Sequence, residues 1–139
     1  MSRIIFASPG LGKSYLVKSN PRWIDCDSVI ERAVGKPITE LCTTPEWSHY
    51  KSMILDWWRE FFPTKNLVVG KVKLIKYCSE IYLHPDWQTM QSRVASPDRT
   101  NPVTNWDCKT RHDEYIQEGL LYKKAIISIN YLTDVINKA

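Results

Sequence analysis

The sequence predicts an α/β fold, a parallel sheet covered by helices on both faces. Three observations carry that expectation. Strand-length apolar runs alternate with helix-length segments along the whole chain. Among the runs, Arg3 to Ala7 reads as a short buried strand and "NLVVGKV" is β-rich and apolar, in the manner of strands covered on both faces. With 139 residues and neither an internal repeat nor a linker, the chain is expected to fold as one domain, 1–139.

The elements follow in order. Arg3 to Ala7 reads as a buried strand, and loop 8–12 then feeds a helix from Lys13 to Ser19, broken by Asn20-Pro21. Arg22 to Asp25 is a second strand. Ser28 to Val34 is helical and is closed by Gly35-Lys36-Pro37, a glycine-then-proline stop. A short helical turn spans Ile38 to Cys42. Thr44 as N-cap, with Pro45 at the first position, opens a long helix to Phe62, which Pro63 stops. Along it Trp47, Tyr50, Ile54, Trp57, Trp58 and Phe61 recur at helical spacing and read as core. Asn66 to Val72 and Ser79 to His84 are the third and fourth strands. Asp86 to Val94 is helical, 95–105 is a polar loop, and Asp107 to Lys124 is a second long helix. "AIISIN" forms the fifth strand, and Leu132 to Lys138 a last helix.

Composition excludes several classes. The chain is 43% hydrophobic and 24% charged, a globular balance with no low-complexity tract. No run approaches the roughly 18 apolar residues of a membrane span, and the four-residue apolar run near the N-terminus is too short for a signal peptide. The net charge is +4, and along the chain the basic residues are scattered, with no groove-reading motif, so nucleic acid is not expected as a partner. Cys26, Cys42, Cys78 and Cys108 have neither zinc-ligand spacing nor a C-x-x-C pair. Each is expected to be a reduced, buried, small apolar side chain in a cytoplasmic protein.

One local pattern carries chemistry. "PGLGKS", Pro9 to Ser14, follows the first strand and opens a helix. A phosphate needs converging backbone N–H groups, and small residues let the chain curl tightly enough to supply them. Gly10 and Gly12 permit that approach, with Leu11, Lys13, Ser14 and Tyr15 completing the loop. Lys13 is expected to reach the outer phosphates and the Ser14 hydroxyl to ligate Mg²⁺. The usual pattern, G-x-x-x-x-G-K-[ST], has glycine where this chain has Ala7, the next smallest side chain.

Asp25 and Asp27 end the second strand. Two residues apart on an extended segment, both carboxylates are expected to face one cavity at the carboxyl edge of the sheet, where open α/β sheets bind ligands. Two acids beside a triphosphate suit a metal relay and a base for an acceptor hydroxyl. Asp27 is also a candidate cap for the helix at Ser28.

With these residues in hand, the chain resembles the shikimate-kinase and nucleoside-monophosphate-kinase group of P-loop phosphotransferases. Besides "PGLGKS", the stretch Trp23 to Leu41 is similar to D-x-D-x-x-I-E-x-x-x-G-x-x-I-x-E, through Asp25, Asp27, Ile30, Glu31, Gly35, Ile38 and Glu40. "EIYLHPDWQTMQSRVASPDR" is similar to the strand and lid of these kinases, and "ISINYLTDVI" to their closing strand and helix. The resemblance implies a three-layer α/β/α P-loop NTPase fold with a five-stranded parallel sheet in the order 2-3-1-4-5. It implies ATP and Mg²⁺ as cofactors and a small-molecule acceptor above Asp27. Lys13 and Ser14 would hold phosphate and metal, and Asp25 would assist the metal. Arg93 and Arg99, in a lid spanning about 93–106, and Arg111 on the long helix fall where arginines clamp the transferring phosphoryl group.

The departures concern the acceptor. Where shikimate kinases carry G-E-x-x-F-R, whose arginine grips the substrate carboxylate, this chain has "PEWSHYK", with Lys51 one residue late. The glycine-rich turn after the third strand is reduced to Gly70-Lys71. The expected acceptor is therefore a (deoxy)nucleoside monophosphate, with Trp47 or Tyr50 as base-stacking candidates. The alternatives are a sugar, cyclitol or modified-nucleotide hydroxyl, or a nucleotide-binding or inhibitor protein without transfer. The short first helix and trimmed loops imply a divergent member of the economical kind that phages encode.

Overall fold

A computed structural model describes residues 2–99 and 102–136. Its sheet has five strands: β1 (Ile4–Ala7), β2 (Trp23–Asp25), β3 (Asn66–Val69), β4 (Glu80–Leu83) and β5 (Ala125–Ser128). All pairs are parallel, and the order is β2-β3-β1-β4-β5. This is the predicted fold class and order. Register puts Ile5 beside both Val68 and Glu80, and Val68 beside Asp25. The strands therefore end together, and loops 8–12, 70–71 and 84–86 and the β2–α2 junction at Asp25-Cys26 lie at one edge.

Alternation along each strand divides the core. Phe6, Leu67, Val69, Ile81 and Leu83 face one layer, where they pack with buried Val29, Ile30, Ile54, Trp58, Met90 and Tyr115. Ile5, Ala7, Val68 and Tyr82 face the other, with Leu16 and Leu132. The first layer is built by α2 (Cys26–Val34), α3 (Ile38–Leu41), α4 (Trp47–Ser52), α5 (Ile54–Phe61), α6 (Trp87–Val94) and α7 (Cys108–Leu121). The second holds α1 (Lys13–Ser19) and α8 (Thr133–Ile136). Burying one such side chain contributes about 1.5–3 kcal/mol. The predicted terminal helix extends to Lys138; its last residues lie outside those described, as do residues 100 and 101 of the expected lid.

Four expectations are corrected. The long helix 44–62 is two helices, because the chain tightens at Met53 (φ −96°, ψ 0°) between them. Thr44 is not a cap: its hydroxyl donates to the Leu41 carbonyl at 2.8 Å. The third strand stops at Val69, and a 3₁₀ turn, Val72–Tyr77, follows where strand was predicted to Val72. Cys42 is exposed, whereas Cys26, Cys78 and Cys108 are buried and free as expected.

Among the described residues no helix is long and apolar enough to cross a membrane.

Candidate active site

The loop between β1 and α1 is shaped by two glycines in the left-handed region, Gly10 (φ +86°) and Gly12 (φ +87°), a conformation that costs other residues dearly. At Ala7, by contrast, no left-handed backbone is needed, so alanine replaces the usual glycine without strain.

The polar groups of this loop are sorted by direction. Five carbonyls are tied back into the protein. Ala7 accepts from Lys13 Nζ at 3.0 Å, Pro9 from His84 Nε2 at 2.8 Å, and Gly10 from Arg93 Nη1 at 3.3 Å. Leu11 accepts from the Leu132 amide at 3.0 Å, and Gly12 from the Leu16 amide at 2.9 Å. Among the described residues, the amides of Gly10, Leu11 and Gly12 have no protein acceptor. Amides left unpaired on successive residues, with neighbouring carbonyls held back, are what an anion-binding loop requires.

Lys13 is half-buried, and its ammonium packs 2.9 Å from where a Cβ on Gly70 would stand. It makes no ion pair among the described residues. Burial lowers its pKa to about 8, with Arg99 pushing the same way, while Cys26, Asp27 and Asp25 oppose. A Nη1 nitrogen of Arg99 is likewise buried without a hydrogen-bond partner. A buried ammonium with no ion pair and a guanidinium nitrogen with no hydrogen-bond partner, near amides without acceptors, suit an anionic ligand.

The carboxylates are arranged differently from the expectation. The chain turns helical at Cys26, so the extended alternation that was to aim Asp25 and Asp27 together ends at Asp25. Asp25, not Asp27, caps α2, accepting from the Ser28 amide at 2.8 Å. Asp27 lies one residue inside the helix and reaches solvent, yet protein crowds one side of it. That crowding, and then the charge of Asp25, raise its pKa. Lys13 and Lys71 work against the rise, so both acids share the electrostatic neighbourhood of the loop.

The remaining predicted residues spread around this centre. Ser14 is exposed in the first turn of α1, and Tyr15 is 66% exposed. Arg93 also donates to the Asn130 carbonyl and stacks on Tyr131, 4.1 Å from the ring centre. Arg111 stands 4.6 Å over Trp106. It lines a cleft of about 580 Å³ with Lys51, Lys71, Lys73, Lys76 and Glu114, which reaches the loop through Gly70. Trp47 carries Lys51 and Lys71 on its ring, at 5.9 and 5.6 Å, and Tyr50 packs against Trp57.

Two features escaped sequence reasoning. The basic residues that look scattered along the chain gather here: five cations face one carboxylate across this cleft, a net charge equal to the +4 of the whole chain. His84 is fully buried at the carboxyl end of β4. An apolar strand ending in histidine was the available signal.

ATP and Mg²⁺ fit this donor set. The free amides and Lys13 suit polyphosphate, and oxygen donors such as the Ser14 hydroxyl and the two aspartates are of the kind a hard cation takes. Among the described residues no group of three His, Cys, Asp or Glu side chains is placed to hold a metal by itself.

No family model matches the chain. Two solved shikimate kinases share its fold. The enzyme from Bacteroides thetaiotaomicron is 19% identical, with a TM-score of 0.54 over 96% of this chain and 90% of that one. The enzyme from Aquifex aeolicus is 13% identical, with a TM-score of 0.55 over 93% and 86%. A stretch of 116 residues is 26% identical to the transcription elongation factor SPT6 of Debaryomyces hansenii, covering 81% of this chain. The chain spans only 8% of the length of that curated relative.

Proposed function

We propose that the protein is an ATP-dependent phosphotransferase that moves the γ-phosphoryl group to a small acceptor, a (deoxy)nucleoside monophosphate. One observation carries this reading: carbonyls of the loop are tied back while, among the described residues, the amides of Gly10, Leu11 and Gly12 find no protein acceptor and Lys13 and Arg99 form no ion pair. Mg²⁺, when held by Ser14 and the phosphates with Asp25 nearby, would neutralise charge on the transferring group. Lys13 would grip the outer phosphates, and Arg99 would meet the charge that spreads over the phosphoryl oxygens. Asp27 would contact the acceptor, whose ionised phosphate oxygen attacks without a proton to lose, and would serve as a base only towards a hydroxyl acceptor. Arg111 and the lysines around the 580 Å³ cleft would hold an acceptor that carries its own phosphate. Arg93, pinned to Gly10 and Asn130, would steady the loop rather than reach the phosphoryl group.

The test is incubation with ATP, Mg²⁺ and a panel of nucleoside monophosphates, sugars and cyclitols, for wild type and Lys13→Ala. ADP should form only with the true acceptor. One well-aimed cationic donor is worth roughly 10²–10³ in rate, so Lys13→Ala should lose measurable transfer while its circular dichroism stays native. Wild-type turnover in that variant rejects the assignment. Tight ATP binding with no turnover on any acceptor favours a nucleotide-binding protein without transfer.

A further inference from the structure

Of the five tied-back carbonyls, that of Pro9 is held by a side chain that comes up from the sheet beneath. His84 follows the last residue of β4, has no solvent exposure, and places Nε2 2.8 Å from the Pro9 oxygen. A carbonyl only accepts, so Nε2 must carry the hydrogen, and Nδ1 is then a bare acceptor. Among the described residues Nδ1 has no partner. The backbone of His84 is fixed from the other side, its carbonyl accepting from His112 Nε2 at 3.2 Å. The imidazole also sets the floor of the loop: a Cβ on Gly10 would lie 3.4 Å from Nε2 and 3.1 Å from the Cβ of Arg93. His84 therefore has one strong bond, and it is spent on the residue before Gly10.

We propose that His84 is a positioning residue for polyphosphate binding: by holding the Pro9 carbonyl down, it keeps that oxygen out of the cradle and turns the Gly10–Gly12 amides toward the anion. This rests on the phosphotransferase reading above. Released, the Pro9 oxygen would be free to swing toward the bound phosphate, an acceptor facing an acceptor. Neutrality is part of the role, since burial holds the imidazole uncharged at neutral pH.

The experiment compares wild type with His84→Gln and His84→Leu. Glutamine places an amide N–H close to where Nε2 stands, whereas leucine fills the space and donates nothing. Dissociation constants for ATP and for inorganic pyrophosphate are measured by calorimetry, alongside melting temperatures and KM for each substrate. The expected result is at least tenfold weaker binding of both ligands in His84→Leu, with near wild-type binding in His84→Gln. KM for ATP should rise while KM for the acceptor holds. A fall in melting temperature with unchanged dissociation constants would make His84 merely structural and overturn the proposal, as would equal losses in both variants. If His84→Leu does not fold, His84→Asn replaces it, its amide one carbon short of Pro9, with the same two outcomes. Wild type that binds neither ATP nor pyrophosphate overturns the phosphotransferase reading itself, and this inference with it.

Discussion

A neutral histidine locked inside the protein leaves a mark on stability that needs no ligand to see. Burial pushes the pKa of His84 down from 6.5 to about 4, and nearby Arg93, His112 and Lys13 add to the fall, against the Pro9 hydrogen bond. The unfolded chain therefore takes up a proton as pH drops through 6.5, and the folded chain refuses it until about 4. Stability is present above 6.5 and is lost progressively below it, by about 3 kcal/mol over that window. In His84→Gln this component vanishes. Urea unfolding at pH 4.5 and pH 7 should show the difference between the two stabilities shrinking by about 2–3 kcal/mol relative to wild type. An undiminished difference would mean that His84 titrates normally and is not enclosed. Asp25 makes a related point about single residues. Which of two aspartates caps α2 depends on where the strand turns helical, a matter of one residue's backbone that side-chain spacing does not fix.

At the scale of elements, the local signals that succeeded were those with a local cause. "IIFA" and "NLVV" are apolar because both faces of their strands are covered, and Gly35, read as part of a glycine-then-proline stop, closes α2 at φ +81°. Asp86 and Asp107 cap α6 and α7, at the predicted starts of those helices, through the amides of Thr89 and Thr110. The break at Met53 and the 3₁₀ turn Val72–Tyr77 were illegible because packing, not propensity, imposes them. Ile54 and Trp58 on one side and Ile75 on the other are buried in the same layer, which a single straight helix 44–62 was not required to satisfy. Gly119 shows how close that packing runs. A Cβ there would lie 2.6 Å from Ile81 Cδ1 and 3.0 Å from Ile126 Cδ1, so α7 touches the sheet through a residue with no side chain. Alanine would press on flexible methyl ends and regain up to about 1 kcal/mol of helix propensity, leaving stability near wild type. Gly119→Leu has no such room and should cost about 1–3 kcal/mol or more through overpacking. Denaturant midpoints of the two variants measure this directly, and a leucine variant as stable as the alanine one would show that α7 is not held against β4 and β5 as described.

Across the whole molecule, charge is the property that sequence inspection served least well. Lys51, Lys71, Lys73, Lys76 and Arg111 come from three separated segments, and folding brings them around one cleft with only Glu114 to oppose them. Among the described residues the ion pair formed is Arg3 with Glu80, at the opposite end of the sheet from the loop. Four of the five cations of the cleft rest instead on aromatic rings, Lys51 and Lys71 on Trp47, Lys76 on Tyr77 and Arg111 on Trp106. A ring face steadies a cation without neutralising it, so the cleft keeps its field. Solvent-exposed charges act over about 10 Å at 0.1 M salt, and far less at higher ionic strength. Binding of a phosphate-bearing acceptor should therefore weaken several-fold between 50 and 300 mM KCl, and a neutral sugar or cyclitol should show almost no such dependence. Lys73→Gln combined with Lys76→Gln removes two of the exposed charges and should flatten the salt dependence while leaving circular dichroism unchanged. Calorimetric titration of nucleoside monophosphates at both salt concentrations reads the slope. An affinity indifferent to salt in wild type would separate the cleft from acceptor binding, and would return the choice of acceptor to the neutral hydroxyl compounds.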